Sequence, residues 1–396
     1  MLVGVVGKPN VGKSTFFKAM TLAEVEIANY PFATIKPNQG VGYVKIDCVD
    51  KEFGKQCDPR TGYCINGKRF VPVELIDVAG LVPGAHEGLG MGNQFLDDLN
   101  QADALIHVID VAGSTNEKGE PVDPGSYDPA EDIKFLEVEF DMWYFRILKK
   151  GWEKFARQVK QESKKIETAI AKQLSGLRVD EEIAKSSIKE LNLGSSIAEW
   201  SEDDLMKLAS LLRKKTKPMI IAANKVDLSS GEANLKRLKE EFKDYAIVGC
   251  SAESELALKE AAKKELIEYI PGMDDFKING DLNDQQKKAL EYIKENILKK
   301  YSTSGVQNVM DDLIFKILDM ICIFPGGVNN LVDKDGNCLP DCFLLKDKST
   351  ALDFAYKIHS DLGDKFIRAI DVKTKRTVGK DHLLKNRDVV EIVSGK

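Results

Sequence analysis

Gly7-Lys8-Pro9-Asn10-Val11-Gly12-Lys13-Ser14, followed by Thr15, sits between the apolar run Leu2–Val6 and a helical stretch. The spacing GxxxxGK[ST] in that setting makes a loop whose backbone N–H groups close around phosphates, and the helix N-terminus adds a favourable dipole. Lys13 would reach the β- and γ-phosphates, and Ser14 would ligate magnesium. Asp77-Val78-Ala79-Gly80 ends the run Val-Glu-Leu-Ile, which puts Asp77 at a strand's carboxyl end, able to hold the magnesium shell. Gly80 can set its N–H against a γ-phosphate where a Cβ would crowd the approach. Asn224-Lys225-Val226-Asp227 follows the strand-like Pro218–Ala223. A carboxylate at Asp227 can accept both N1–H and N2–H of guanine, donors that adenine does not offer in that arrangement. Ser251-Ala252, after Tyr245–Cys250, is placed for a backbone N–H to meet guanine O6. The first run alone leaves ATPase, GTPase and small-molecule kinase open; the ordered set of four favours a guanine nucleotide.

These loops need strands to carry them. Leu2–Val6, Val71–Ile76, Ala104–Ile109, Met219–Ala223 and Ala246–Gly249 are mostly continuous apolar runs, the pattern of parallel strands buried on both faces. Gln39–Ile46 alternates and suits an antiparallel edge strand. A doubly wound α/β sheet follows, with ligands beyond the carboxyl ends of its strands. Between about Ile133 and Lys215 the pattern changes. Trp152, Phe155, Ala156 and Val159 recur at helical spacing, Ser201 to Asp204 resembles a capping box, and Pro218 stops the last helix. We read an inserted helical arm, in the form of an antiparallel hairpin, with Trp143-Tyr144-Phe145 on its packing face. It serves either as a solvated arm or as a partner-binding one. Helices are expected over Leu282–Lys300 and Val306–Met320, broken by Phe324-Pro325-Gly326-Gly327 before a small α+β module.

The sequence resembles the Obg superfamily of GTPases in several places. Asn29-Tyr30-Pro31-Phe32-Ala33-Thr34-Ile35-Lys36-Pro37-Asn38 is similar to its first switch. Asp77 to Ala85, with Gly88, Gly90, Gly92-Asn93 and Phe95-Leu96, is similar to its second, and the phrase GxGxGNQFL to the YchF subfamily and its Drg relatives. Leu345–Val393 resembles a TGS domain. The resemblance implies a P-loop NTPase domain from 1–130 and 216–330, a helical insertion at 131–215 and a ubiquitin-like TGS domain at 335–396. It implies a magnesium-dependent GTPase that binds GTP and GDP. Ser14, Thr34 and Asp77 would hold the ion, and Lys13, Thr34, Gly80 and Asn10 would act at the γ-phosphate. Many YchF proteins carry an altered fourth motif and accept ATP; here Asn224 to Asp227 is intact. Leu81 stands where Ras-like enzymes have a water-orienting Gln, which leaves His86 or a mobile-loop role for that histidine. Some relatives with Asn at position 10 bind potassium there; the alternative is an Asn that only bonds its own loop.

The 396-residue length allows two or three domains. A net charge of −6 excludes a uniformly basic nucleic-acid coat. Yet Phe343–Lys396 carries twelve Lys/Arg against eight Asp/Glu. Lys373, Lys375, Arg376, Lys380, Lys385 and Arg387 cluster there, with Asp381 as the one acid among them. They suit either a solvated edge or a phosphate-contacting patch for the ribosome or structured RNA; no DNA partner is expected. Neither a leader nor a membrane-length apolar run is evident, and seven irregularly spaced cysteines fit reduced thiols, so a cytoplasmic protein is expected. Cys57/Cys64 and Cys338/Cys342 lack the tight CxxC knuckle and argue against zinc. His107 is expected to be a satisfied core residue. The rival functions are a small-molecule kinase, which leaves Asp227 unused, and a nucleotide-gated RNA-binding module with negligible turnover.

Overall fold

The computed structural model describes residues 1–22, 38–78, 99–162 and 165–395. Its central sheet is built from β1 (Leu2–Val6), β2 (Gln39–Asp47), β3 (Tyr63–Ile65), β4 (Lys68–Asp77), β5 (Ala104–Asp110), β6 (Met219–Asn224) and β7 (Ala246–Gly249). Their order is β2-β4-β1-β5-β6-β7, with β3 paired to β4. β1, β5, β6 and β7 run parallel, in a register that sets Asp110 beside Asn224. Every residue of β5 and β6 is buried, which explains why these strands are apolar without alternation. β1 has β4 on one side and β5 on the other, so the chain leaving its carboxyl end enters the switch point of the sheet. The α/β, doubly wound fold expected from the sequence is present, and Gln39–Asp47 lies at the sheet edge.

The chain divides into two compact units, Met1–Phe17 with Leu75–Ala252 and Lys18–Glu74 with Glu253–Lys396. They cut across the three anticipated segments.

In the first unit, α1 (Lys13–Thr21) begins directly after the Gly7–Gly12 loop. α2 (Ala130–Lys149) covers the sheet through Leu136 and Phe140, which join Val6, Ile76, Leu99, Leu105 and Met219 in one apolar cluster. The inserted region holds more than a hairpin. α2 is followed by α3 (Trp152–Gln161), α4 (Ile166–Gln173), α5 (Glu181–Glu190) and α6 (Glu202–Thr216). Left-handed Gly151 (φ 72°) and Arg178 (φ 60°) turn the chain and break one long helical run into several. Trp152 stacks on Trp200 at 5.8 Å, and the Tyr144 hydroxyl meets Thr216 Oγ1 at 2.8 Å, tying α2 to α6. Ser201 and Asp204 form a full capping box. α7 (Gly231–Glu241) and α8 (Ala252–Lys263) flank β7 in sequence.

The second unit carries a hairpin, β8 (Ile267–Tyr269) with β9 (Phe276–Ile278), then α9 (Asp284–Ile293) and α10 (Val306–Asp312). α10 passes into a π turn at Leu313–Ile317, and left-handed Asp319 (φ 47°) reverses the chain into β10 (Met320–Pro325). The helix expected to reach Met320 therefore ends earlier; Phe324-Pro325 close β10, and the expected break falls at Gly326-Gly327. Apolar residues dominate Leu313 to Phe324, interrupted only by Lys316 and Asp319, and no Gly or Pro falls within that run to mark the change. β10 pairs antiparallel with β11 (Phe343–Lys346) and parallel with β14 (Val389–Ser394). β12 (Phe366–Asp371) and β13 (Arg376–Val378) complete a five-stranded mixed sheet in the order β11-β10-β14-β12-β13. α11 (Ala351–Ile358) packs on it through Ala351 and Phe354. The C-terminal module thus takes its first strand from residues ahead of 335.

Candidate nucleotide-binding site

Residues 7–12 connect β1 to α1 in a conformation that only some side chains allow. Asn10 and Gly12 both have left-handed backbones, φ 64° and 89°. A Cβ on Gly7 would meet the Val108 carbonyl at 2.5 Å, and one on Gly12 would meet Asn224 Nδ2 at 2.3 Å. The first intrahelical bond runs from Phe16 N–H to Gly12 O (2.9 Å), so the N–H groups ahead of Phe16 have no acceptor within the helix. Lys13 and the exposed Ser14 open that helix. Lys13 Nζ contacts Asp77 Oδ1, which ends β4. A cation and a carboxylate thus converge at the carboxyl ends of two neighbouring strands, beside N–H groups that the helix itself leaves without an acceptor. The Ser14 hydroxyl and Asp77 carboxylate are hard oxygen donors, which suit magnesium shared with phosphate oxygens. Thr34 and Gly80, together with Leu81 and His86, lie outside the described residues.

Asn224 binds the loops together. It is 3% exposed; its Nδ2 donates to Val11 O (2.9 Å), and its Oδ1 accepts from Ala252 N–H (2.9 Å). One amide thus spans the phosphate loop and the loop after β7. The Ala252 N–H of the Ser251-Ala252 loop is used inside the protein, where it anchors Asn224. Lys225 has a left-handed backbone (φ 63°), and its Nζ pairs with buried Asp110 at 2.9 Å. Asp110 also accepts from Ser114 Oγ (2.6 Å) and Thr115 Oγ1 (3.1 Å). Asp227 is half-buried and engages no other described side chain. Its carboxylate therefore keeps its lone pairs for a ligand.

Three comparisons agree with this geometry. Residues 2–137 match the family described as 50S ribosome-binding GTPase, 222–328 the Obg-like GTPase YGR210-like, G4 motif-containing domain, and 330–394 the TGS domain. A GTP-binding protein of Methanocaldococcus jannaschii is 52% identical over 396 residues, covering 99% of each chain. The chain belongs to the Obg-like GTPases related to YchF. The ribosome-binding ATPase YchF of Bacillus subtilis is 30% identical over 321 residues, covering 78% of this chain and 80% of its own. A solved GTP-binding protein from Pyrococcus horikoshii superposes with a TM-score of 0.79 at 42% identity over the whole of both chains. The YchF GTPase of Schizosaccharomyces pombe, at 20% identity and a TM-score of 0.60, covers 99% of this chain and 97% of its own and shows the shared fold.

This Obg-like GTPase binds GTP and hydrolyses it; GTPases generally use magnesium for nucleotide binding. Several of its residues have tasks that their motifs hide. The Lys8 side chain turns away from the phosphate loop. It is 7% exposed, pairs with Asp132 at 2.8 Å, donates to Thr115 O at 3.1 Å and lies 3.8 Å from the Tyr127 ring centroid. Burial pushes the Asp132 carboxyl up, opposed by the Lys8 ammonium and the Tyr127 hydroxyl. Only the Lys8 backbone is left to serve phosphate. Asn10 Nδ2 donates to Gly119 O (2.8 Å), a bond to a distant loop in place of its own. His107, in β5 between β1 and β6, is buried, but its Nδ1 has no partner among the described residues, unlike the satisfied core residue expected. Burial drops its pKa to about 3, with Lys8 adding to the shift.

The basic tail is also altered by the fold. Glu52 pairs with Lys373 at 2.7 Å and with Arg387. Two of the six clustered cations are thereby engaged and one positive charge is offset, leaving Lys375, Arg376, Lys380 and Lys385 exposed. Sequence spacing gave no sign of that acid, more than three hundred residues away. Among the described residues no helix is long and apolar enough to cross a membrane.

Proposed function

We propose that the chain is a slow guanine-nucleotide switch whose C-terminal module touches ribosomal or other structured RNA. The observation that carries the nucleotide half is the Asn224 amide, which holds the phosphate loop and the Ser251-Ala252 loop together beside the open carboxylate of Asp227. A preorganised site of this kind recognises base and phosphate as one ligand. Lys13, Ser14 and Asp77 supply the phosphate and magnesium contacts, with Thr34 and Gly80 at the γ-phosphate. Magnesium, when bound, neutralises charge on the phosphate oxygens. Phosphoryl transfer then needs little beyond positioning and charge stabilisation. Leu81 cannot hydrogen-bond a water, so unaided turnover is slow. The Asn10 carbonyl oxygen is the atom offered to a potassium ion, its amide nitrogen being held by Gly119.

The relatives named as ribosome-binding, together with the exposed Lys375, Arg376, Lys380 and Lys385, support the RNA half and a cytoplasmic location. We read 131–215 as an insertion in a nucleotide domain of 1–130 and 216–330, and the C-terminal module as starting at β10. The test is Asp227→Asn. It should lose GTP affinity by at least tenfold and gain xanthosine triphosphate affinity, because an amide pairs with a 2-carbonyl where a carboxylate pairs with two donors. Unchanged GTP binding, or equal affinity of the native chain for ATP and GTP, overturns the reading.

A further inference from the structure

Residues 48–64 of the second unit gather side chains that nucleotide chemistry does not use. Cys48 follows β2, Asp50 opens a single 3-10 turn (Asp50–Phe53), Cys57 lies in the loop beyond Gly54, and Cys64 is the middle residue of β3. The three Sγ atoms and a carboxylate oxygen of Asp50 all lie within 4.8 Å of one another. Cys48 Sγ and Cys57 Sγ are 3.5 Å apart. Zinc–sulfur bonds of ~2.3 Å in a tetrahedron set neighbouring sulfurs roughly 3.8 Å apart. Small shifts would therefore close these four donors around one ion. We propose that Cys48, Asp50, Cys57 and Cys64 form a structural zinc site.

Asp50 argues most strongly for an ion. Its side chain is fully buried, yet among the described residues it makes no ion pair. It accepts only two backbone bonds, Lys51 N–H to Oδ1 (2.7 Å) and Cys57 N–H to Oδ2 (3.2 Å). A buried carboxylate is costly unless paired or metal-bound, and N–H bonds of this sort orient a ligating carboxylate. Four anionic ligands on a divalent ion leave a negative cluster, and a buried cation stands next to it. Arg69, opposite Cys64 in the β3–β4 register, is fully buried and donates to the carbonyls of Leu339, Pro340 and Thr61. A Cys48–Cys57 disulfide is the competing chemistry. It would leave Cys64 and Asp50 without a task, and 3.5 Å is well beyond the S–S bond length of about 2.05 Å.

The site would hold a loop that has little else to order it. Residues 54–62 contain no helix or strand, yet they support the C-terminal module. Asp58 N–H bonds Cys338 O (2.8 Å), Arg60 N–H bonds Pro340 O (2.9 Å), and the Arg60 side chain pairs with Asp341. Glu52, in the 3-10 turn just before this loop, holds Lys373 and Arg387. Zinc would thus staple the platform on which the basic module is anchored. No CxxC spacing announces it, because the hairpin and the 3-10 turn bring the ligands together.

The test uses the full-length chain, expressed with zinc, purified under reducing conditions and assayed by plasma mass spectrometry. Equimolar zinc is expected, falling to background in a Cys48→Ser/Cys64→Ser variant and falling at least tenfold in retention against a chelator in Asp50→Asn. Zinc-depleted protein given cobalt should show thiolate charge-transfer absorption and the intense visible bands of a tetrahedral ion. GDP binding by each variant checks that it has folded. Native protein with no zinc and no cobalt spectrum overturns the proposal, whatever the variants do. So does equimolar iron in place of zinc, or a fresh chain lighter by two hydrogens with Cys48 linked to Cys57.

Discussion

Replacing Asn224 by alanine should damage phosphate and base recognition together. The amide sits between two groups that are themselves buried, the carbonyl of Val11 and the N–H of Ala252, at 2.9 Å from each. Alanine leaves both without a partner, and each buried orphan costs about 1–3 kcal/mol. The folded state should therefore lose about 2–6 kcal/mol, a large part of a typical margin of about 5–15 kcal/mol. Part of that loss reappears in binding, because the phosphate loop must be re-ordered around the ligand. Fluorescent GDP titration and urea unfolding of native and variant chains measure the two effects. We expect affinity for GTP, inosine and xanthosine triphosphates to fall by one common factor of at least tenfold, unlike the base switch of Asp227→Asn. Gly12→Ala should mimic the loss, since its new methyl would meet Asn224 Nδ2 at 2.3 Å. The two changes combined should cost less than their sum, because alanine at 224 removes the atom in the way. Unchanged unfolding and GDP affinity in Asn224→Ala, or a loss confined to guanine, would refute the strut.

His107 makes an acid-sensitive core. Its folded pKa of about 3 lies below the ordinary 6.5, so between those values the unfolded chain binds the extra proton. Stability then falls as pH drops through that window, by up to about 1.4 kcal/mol per pH unit, and the effect is absent above 6.5. Urea unfolding at pH 7.5 and 5.5 should show this slope shrinking in His107→Leu; equal slopes would discount it. RNA affinity should fall with salt at a log–log slope near −3, as about four phosphate contacts require. Alanine at Lys375, Arg376, Lys380 and Lys385 should flatten the slope, whereas Glu52→Gln should steepen it by releasing Lys373 and Arg387. Retained affinity in the four-alanine variant would move the partner site elsewhere. Basal turnover is expected on the order of 10⁻² s⁻¹ or below, as for GTPases without an arginine finger. Potassium should exceed sodium several-fold in supporting it, with Asn10→Ala removing the difference; equal rates in both salts would end the cation assignment.

The loop between β1 and α1 and the strands on either side of it were legible because their determinants are local. Gly12 and Lys13 lie at the spacing a strand–loop–helix turn demands, and β5 and β6 read as apolar runs because helices cover both sheet faces. The Ser201–Asp204 cap was legible for the same reason, since both of its bonds close within one turn. Asn66-Gly67 also marks the β3–β4 hairpin locally and places Cys64 on the strand that enters the turn.

What the tertiary structure decided is partnership across long stretches of chain. Lys8 belongs to Asp132, Asn10 to Gly119, Asn224 to Val11 and Ala252, and Glu52 to Lys373 and Arg387. In sequence each of these is a polar residue with several plausible tasks. Folding removes the water that would otherwise satisfy them, and a buried donor or charge must then take whichever partner the packing presents. The same holds for Cys48, Asp50, Cys57 and Cys64, whose wide spacing conceals donor atoms that the β3–β4 hairpin and the 3-10 turn bring within bonding range of one ion. Sequence spacing records which residues can share a turn; burial determines which of the distant ones must answer to each other.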